Sequence, residues 1–381
     1  MLRIKGNNGN MTATGNLKTN NLPGRNMIIN GDMRVAQRAT SASMSSAGNT
    51  YDVCDRWSYN RNGVTATVAQ VAEAPDGSGF TKSLKFTTTS ELGSISAGNM
   101  LSFSYRIETQ DVKKLAYGTS DAKTATISFW ARGSLSGKIG VNCARDSRTF
   151  SAGVDIVANT WKFVEIVIPA DTSTAFSGAD TAAGFDVAIR AAAGSNFTSG
   201  PTGGSWISFH TAYAAGFTAG QQGAYLTTNG STFQITGVQL EIGSQSTSFD
   251  FRYYGDQLKM CQRYYAILHP TTQAQIYIES GGTATHSFWE GPVPAGMRSE
   301  PTANLLGTWT GHNIAGGKSI SAVSVQAIDN GGNAGTAHPG SMGAVSLRVT
   351  RNSSGTYSDR DVVHHDGWGN GVAWIGYDAE L

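Results

Sequence analysis

The stretch GVQLEIGS (237–244), followed at 254–265 by YGDQLKMCQRYY, decides the fold. The first part ends a β-strand. In the second, Leu258, Cys261, Gln262 and Tyr265 recur at i, i+3, i+4 and i+7, the spacing of one helical face. Asp256 places a carboxylate at the N-terminal end, where the helix dipole favours it. A helix of roughly two to three turns is marginal alone and must pack on something. Two uses stay open for a helical coupler over 251–266. It joins two parts of one protomer, or Leu258, Cys261, Gln262 and Tyr265 form a stripe around a three-fold axis. Burying three such stripes would contribute several kcal/mol at roughly 25 cal/mol per Å².

Upstream of this join, the period-two pattern of strands dominates from about 51 to 250. In VCDRWSYN (53–60), Val53, Asp55, Trp57 and Tyr59 share one face and Cys54, Arg56 and Ser58 the other. Asn62-Gly63 is a hairpin signal leading into VTATVAQVA (64–72). SLKFTTT (83–89), MLSFSYRIET (100–109), KTATISFWARG (123–133), KIGVNCAR (138–145) and WKFVEIVIP (161–169) follow. FDVAIRAAA (185–193), SWISFHTAY (205–213) and STFQITGVQLEI (231–242) complete a set of about ten strands, which predicts a two-sheet sandwich over 31–250. Downstream, QAQIYIES (273–280), THSFWEG (285–291), SISAVSVQAID (319–329), AVSLRVTR (344–351) and GVAWIGYDAEL (371–381) predict a smaller β domain over 267–381. The fold class is therefore all-β, and no internal repeat points to a shaft or β-helix.

Composition agrees. Only 14% of the 381 residues are charged and 47 are glycine, a bias towards short strands and tight turns. Lys+Arg number 28 against 27 Asp+Glu, so the net charge of +1 supplies no field for nucleic acid. Cys54, Cys143 and Cys261 are too few and scattered for a disulfide framework or zinc site and read as buried thiols. No run approaches the ~20 apolar residues of a membrane span, and the first residues carry no signal-peptide pattern, so membrane insertion and ordinary secretion are not expected. Residues 1–25 are polar and rich in Asn and Gly; with the turn that follows, 1–30 reads as an extended segment that docks on a partner.

Several stretches carry a family resemblance: NMIINGDMRVAQR (26–38), YDVCDRW (51–57), YGTSDAKTATISFWARGS (117–134), GVQLEIGS, CQRYY (261–265), GMRSEPT (296–302) and the terminal YDAEL. In order and spacing they resemble bacteriophage tail-fibre and minor virion proteins of short-tailed phages of marine bacteria. The resemblance implies a jelly roll like that of a carbohydrate-binding module, a C-terminal β domain and a homotrimer. It also implies a place in the virion, with 1–30 against other virion proteins and a host surface glycan as ligand. A capsid-decoration or tail-connector role and a glycan depolymerase are the alternatives. The sequence contains no G-x-S-x-G elbow, H-E-x-x-H, P-loop or dinucleotide fingerprint, and no catalytic residues are assigned.

Among individual residues, Trp57, Tyr59, Trp130, Trp206 and His210 form the candidate sugar-binding set, since flat rings stack on the apolar faces of pyranoses while polar neighbours bond hydroxyls. Packing against a second sheet or subunit explains the same residues. His364, His365 and Asp366, with Asp361, invite a metal or acid–base reading, but adjacent strand residues point apart and HHDGWGNG reads as a turn. Asp76 in APDGSGF, with Asp250 and Glu241, is a candidate set for a structural calcium, against a plain turn at Asp76-Gly77. Asp55, Glu108, Glu165 and Glu290 read as isolated, solvated or salt-bridged carboxylates.

Overall fold

The computed structural model describes residues 4–7, 10–13, 24–44, 48–198, 204–208 and 223–268, and beyond these 275–277, 286–292, 297–298, 302–306, 320–327, 344–351, 362–364 and 374–380. The chain divides into two units, Met1–Gln257 and Leu258–Leu381, the division falling inside the helix Tyr254–Gln262.

The first unit is a two-sheet antiparallel sandwich, as the alternation predicts, preceded by a hairpin of Ile4–Asn7 with Asn10–Ala13. Its strands are β1 Ser41–Met44, β2 Gly48–Thr50, β3 Trp57–Asn62, β4 Thr65–Val71, β5 Ser83–Ser90, β6 Met100–Glu108 and β7 Ala125–Gly133. They continue as β8 Gly137–Arg145, β9 Arg148–Ile156, β10 Lys162–Ile168, β11 Ala183–Ala193, β12 Ile207–Ser208 and β13 Thr232–Ile242. One sheet runs β12–β9–β8–β11–β6–β3–β2 and the other β10–β7–β13–β5–β4–β1. Between them lie Phe103 from the first and Phe86 and Phe233 from the second, with centroids 5.4 Å and 6.2 Å from that of Phe103. Tyr225, on a single helical turn, packs against Phe86 and Phe233 and donates its hydroxyl to the Leu135 carbonyl at 2.9 Å; burial pushes this phenol up to about 12. Burying such rings drives the sheets together.

Four expectations change on contact with the fold. Asn62-Gly63 turns the chain, but β3 and β4 belong to different sheets, so the turn is a crossing between layers and not a hairpin. An Asn-Gly pair specifies reversal; which strands then pair depends on where each hydrophobic face is buried. VCDRWSYN is extended only from Trp57, because Arg56 has φ +71° and residues 53–56 form turns. The helix stops at Gln262, and Tyr265 opens the strand Tyr265–Leu268, which removes it from any helical stripe. Cys261 and Tyr265 are already buried in the single chain, while Leu258 and Gln262 are half-buried.

The fourth change concerns the N-terminal segment. Residues 26–30 do not stand apart as a docking arm. Asn26, Met27, Ile28, Ile29 and Asn30 are all buried. The Met27 amide donates to Leu240 and the Val238 amide to Gly31, tying this segment along β13. Asn30 takes φ +58° and spends its carboxamide on the Val35 amide and the carbonyls of Val35 and Asp55, at 2.8–2.9 Å. Arg252 closes the knot by donating to the carbonyls of Asn26 and Ile28. A side chain at Gly31 would meet the Val238 carbonyl oxygen at 2.1 Å, so only glycine lets the two backbones approach. NMIINGDMRVAQR, YDVCDRW and GVQLEIGS thus meet in one buried polar hub.

In the second unit, Trp374–Asp378 pairs with Tyr265–Leu268 and Thr302–Leu306, Gln275–Tyr277 with Val362–His364, and Ala344–Arg351 with His286–Pro292 and Ile320–Ala327. It is all-β among its described residues, apart from the end of the helix.

Candidate functional site

The five candidate aromatic residues are not brought together. Trp57 and Tyr59 point between the sheets and are 0% and 1% exposed, so neither presents a ring to a ligand. Trp57 packs 5.0 Å from Tyr105 and donates its indole N–H to the Asn30 carbonyl at 3.0 Å. The Tyr59 hydroxyl donates to Asp52 at 2.6 Å, and burial pushes the phenol well up. Both side chains satisfy the pattern of a strand with one core face; the period alone does not say which face is core.

Trp206 is half-buried and belongs to a different cluster. Its indole N–H donates to the Pro169 carbonyl at 2.8 Å, and its ring packs on Tyr117, Phe150 and Phe185 at 5.7–6.2 Å. The Arg145 guanidinium lies over Tyr117, Phe176 and Trp206 at 5.0–5.7 Å and bonds Asp171 at 2.7 Å. That ion pair is almost inaccessible, with side chains 0% and 2% exposed. A cation buried this deeply is a structural fastening for loop 169–177. His210 lies outside the described residues.

Trp130 is the exception. On β7, Ala125, Ile127, Phe129 and Ala131 enter the core; the other side of the strand carries Thr126 and Ser128, both buried, and then Trp130 and Arg132, both half-buried. Opposite Trp130, the edge strand β10 places Phe163, which is 43% exposed, with ring centroids 5.3 Å apart and planes at 57°. On its other side Trp130 faces Thr236 of β13. There β13 bulges at Gly237 (φ +63°), and the Phe80 ring occupies the space where a side chain at 237 would stand, 2.4 Å from such a Cβ. Phe80 packs edge-on against Phe249 and tilted against Phe251, which is 51% exposed. Aromatic groups thus stand across three neighbouring strands of one outer face.

A polar network borders them. Glu73 accepts from Lys85 at 2.7 Å, Gln234 at 3.1 Å and Arg132 at 3.5 Å. The bond from Lys85 leads in holding its carboxyl below the usual carboxylate range, with Gln234 and Arg132 assisting against partial burial. Gln234 in turn accepts from Ser83 at 3.2 Å. Beneath, the hydroxyl of Thr236 is buried with no hydrogen-bond partner among the described residues. Stacking surface beside fixed donors and acceptors is the arrangement that holds a hydroxyl-rich ring.

Phe163, Phe80 and Glu73 escape a reading of the sequence alone. Phe163 has a signal: in WKFVEIVIP it alternates out of phase with Val164, Ile166 and Ile168, leaving an aromatic on the polar face. Phe80 and Glu73 lie in the connection between β4 and β5, which has no period to read.

The other candidates fall apart. Asp76 is exposed in a turn, while both Glu241 oxygens are engaged by Thr247, and Asp250 accepts from the Asn26 amide. Among the described residues no three of His, Cys, Asp and Glu are grouped to hold an ion, so the calcium set is not assembled. Asp55 and Glu108 are fully buried, not solvated: Asp55 takes the amide and side chain of Gln37, and Glu108 takes Gln110. Glu165 accepts from the Ser246 amide at 2.8 Å. Cys54, Cys143 and Cys261 are free and buried, as expected. His364 ends a strand; Asp361, His365 and Asp366 lie outside the described residues, as does the side chain of Glu290. No described helix is long and apolar enough to cross a membrane.

No protein-family model matches this chain, and no curated protein does. Among solved structures, the chain is similar over 57% of its length to the enzymatically active domain of tailspike protein 4 of bacteriophage CBA120, at 13% identity and a TM-score of 0.29, and spans 22% of that domain. It is similar over 53% of its length to a family 11 carbohydrate-binding module from Clostridium thermocellum, at 10% identity, a TM-score of 0.26 and 99% coverage of the module. A xylan-binding domain from Paenibacillus barcinonensis overlaps 54% of this chain and 94% of its own, at 13% identity and a TM-score of 0.25.

Proposed function

We propose that this protein binds a surface glycan without turning it over, as a trimeric tail fibre or comparable appendage of a bacteriophage virion. The observation that carries the binding reading is the outer face of the six-stranded sheet. Trp130 and Phe163 lie side by side there, and Glu73, Lys85, Arg132 and Gln234 flank them with oriented polar groups. The virion part is supported by the resemblance of the motifs at 26–38, 51–57, 117–134 and 237–244 to phage fibre proteins. A trimer carrying one weak site per protomer gains avidity by multivalency, with no deep pocket needed.

The test is binding of the full chain to a glycan array and to candidate host cells, comparing wild type with Trp130→Ala and Phe163→Ala. The expected result is at least about a tenfold loss in each variant, equivalent to 1.4 kcal/mol of stacking, with the fold unchanged by circular dichroism. Equal binding by all three proteins would overturn the proposal.

A second reading has its own observation. Tyr253 and Tyr254 are 86% and 52% exposed, and Val157 64%. Exposed apolar side chains of this size suit a protein neighbour, as in a capsid-decoration or connector role. Copy number separates the two: a few multiples of three per particle fit an appendage, and many copies across a head lattice fit decoration.

A further inference from the structure

Resting on the glycan reading above, we propose that this face selects an uncharged polyol, a neutral sugar chain in preference to one bearing carboxylates, and that Glu73 is the selecting residue. A sugar hydroxyl both donates and accepts a hydrogen bond, whereas a uronate or sialate carboxylate only accepts. The polar flank offers both halves of the hydroxyl pattern. Glu73 Oε1 accepts from Lys85 Nζ at 2.7 Å, and Oε2 accepts from Gln234 and Arg132. Arg132 is held on its far side by the Asn159 carbonyl at 3.1 Å, and Gln234 by Ser83. These bonds orient the group without exhausting it. The ammonium and guanidinium keep further N–H donors and the carboxylate keeps lone pairs. The side chains of Glu73, Lys85 and Arg132 are 41%, 22% and 34% exposed, so those capacities are open to a ligand lying on Trp130.

Charge argues the same way. The cations on this face, Arg25, Lys85 and Arg132, are each beside a carboxylate: Glu241 at 3.8 Å for the first and Glu73 for the other two. At the site itself Glu73 stands between Lys85 and Arg132, so the two cations share one carboxylate. A ligand carboxylate would meet Glu73 wherever it meets Lys85 or Arg132, so repulsion from Glu73 offsets part of what it gains from the cations, an opposition that a hydroxyl does not meet.

The experiment uses the full chain on an array carrying neutral oligosaccharides and uronate- or sialate-bearing ones, at low and high ionic strength, with Glu73→Gln and Trp130→Ala beside wild type. Glu73 is exposed enough for the substitution to leave the thermal midpoint in place, which is measured first. Wild type is expected to bind neutral glycans with little salt dependence. Glu73→Gln exposes two uncompensated cations, so its acidic-to-neutral binding ratio should rise by about tenfold or more, and the gain should fade at high salt. A wild type preferring acidic glycans, or a ratio that Glu73→Gln leaves unmoved, overturns this proposal while Trp130-dependent binding keeps the glycan reading alive. No glycan binding by wild type overturns both.

Discussion

The hub around Asn30 and the outer face around Trp130 are both built from aromatic rings and polar side chains, yet they differ in what those groups have left to do. In the hub, Asn30, Asp55, Arg56 and Trp57 are fully buried; the bonds of Asn30 to the Asp55 carbonyl and of Trp57 to the Asn30 carbonyl, with that of Arg252 to Ile28, stitch residues 26–36, 51–57 and 237–252 together. On the outer face, Lys85 and Arg132 both donate to Glu73, and the three keep donors and acceptors towards solvent. A polar group that is satisfied and enclosed specifies structure; one that is oriented and half-open is free to specify a ligand. Three of the quoted motifs, 26–38, 51–57 and 237–244, meet in the hub. Of the candidate site, Trp130 and Arg132 fall in a quoted motif, 117–134, while Phe163, Phe80 and Glu73 fall in none.

That contrast is breakable. Deleting residues 1–30 should have the largest effect: it removes the buried Met27, Ile28 and Ile29 and the hub bonds of Asn26 and Asn30, and cooperative unfolding of the first unit should vanish in a denaturant titration. A shortened chain that still melts cooperatively would return 1–30 to the status of a docking arm. Next, Trp57→Ala and Trp130→Ala compare the same truncation in the two regions. The first should cost about 3–5 kcal/mol of stability through cavity formation and the second below about 1 kcal/mol, while only the second loses glycan. Similar stability losses would erase the distinction. Arg145→Ala should cost about 1–3 kcal/mol by emptying the buried space between Tyr117, Phe176 and Trp206, Asp171 keeping Arg148 at 3.2 Å, and should leave glycan binding untouched; a binding loss would move the Trp206 cluster into the site.

The smallest effect is a pH dependence. The pKa of Glu73 is lowered on folding, chiefly by Lys85, so its network contributes fully above the ordinary value of 4.5 and is lost as pH falls through the lower folded value. Binding should therefore be level from neutral pH down to about 4.5 and decline below it, the decline shrinking in Glu73→Gln. Solvent screening of a side chain 41% exposed keeps the accompanying stability change small.

How much of this is legible follows from how much of it is periodic. Strands such as β6, β7 and β13 alternate large apolar side chains with polar ones, and their bounds come out within a residue or two of the expectation. RTFSAGVDI, strand β9, gives no such signal because Ser151, Ala152 and Gly153 at its centre carry little β-propensity; it is a strand because β8 pairs with it along its whole length. Trp130 is legible as an outward aromatic on a strand whose other face is apolar. Trp57 is not distinguishable from it, since both alternate with polar neighbours and only the partner sheet decides which side is dry.

From the sequence by itself come the all-β class and the short helix that begins at 254, because each depends on local period, turn residues and composition. Tertiary structure alone decides which alternating face is core, that residues 26–30 are part of the sandwich, and that Trp130, Phe163, Phe80 and Glu73 share a surface. Those facts depend on segments as far apart as 73 and 234 meeting across a sheet, and the energy that brings them together is burial, which no local pattern records.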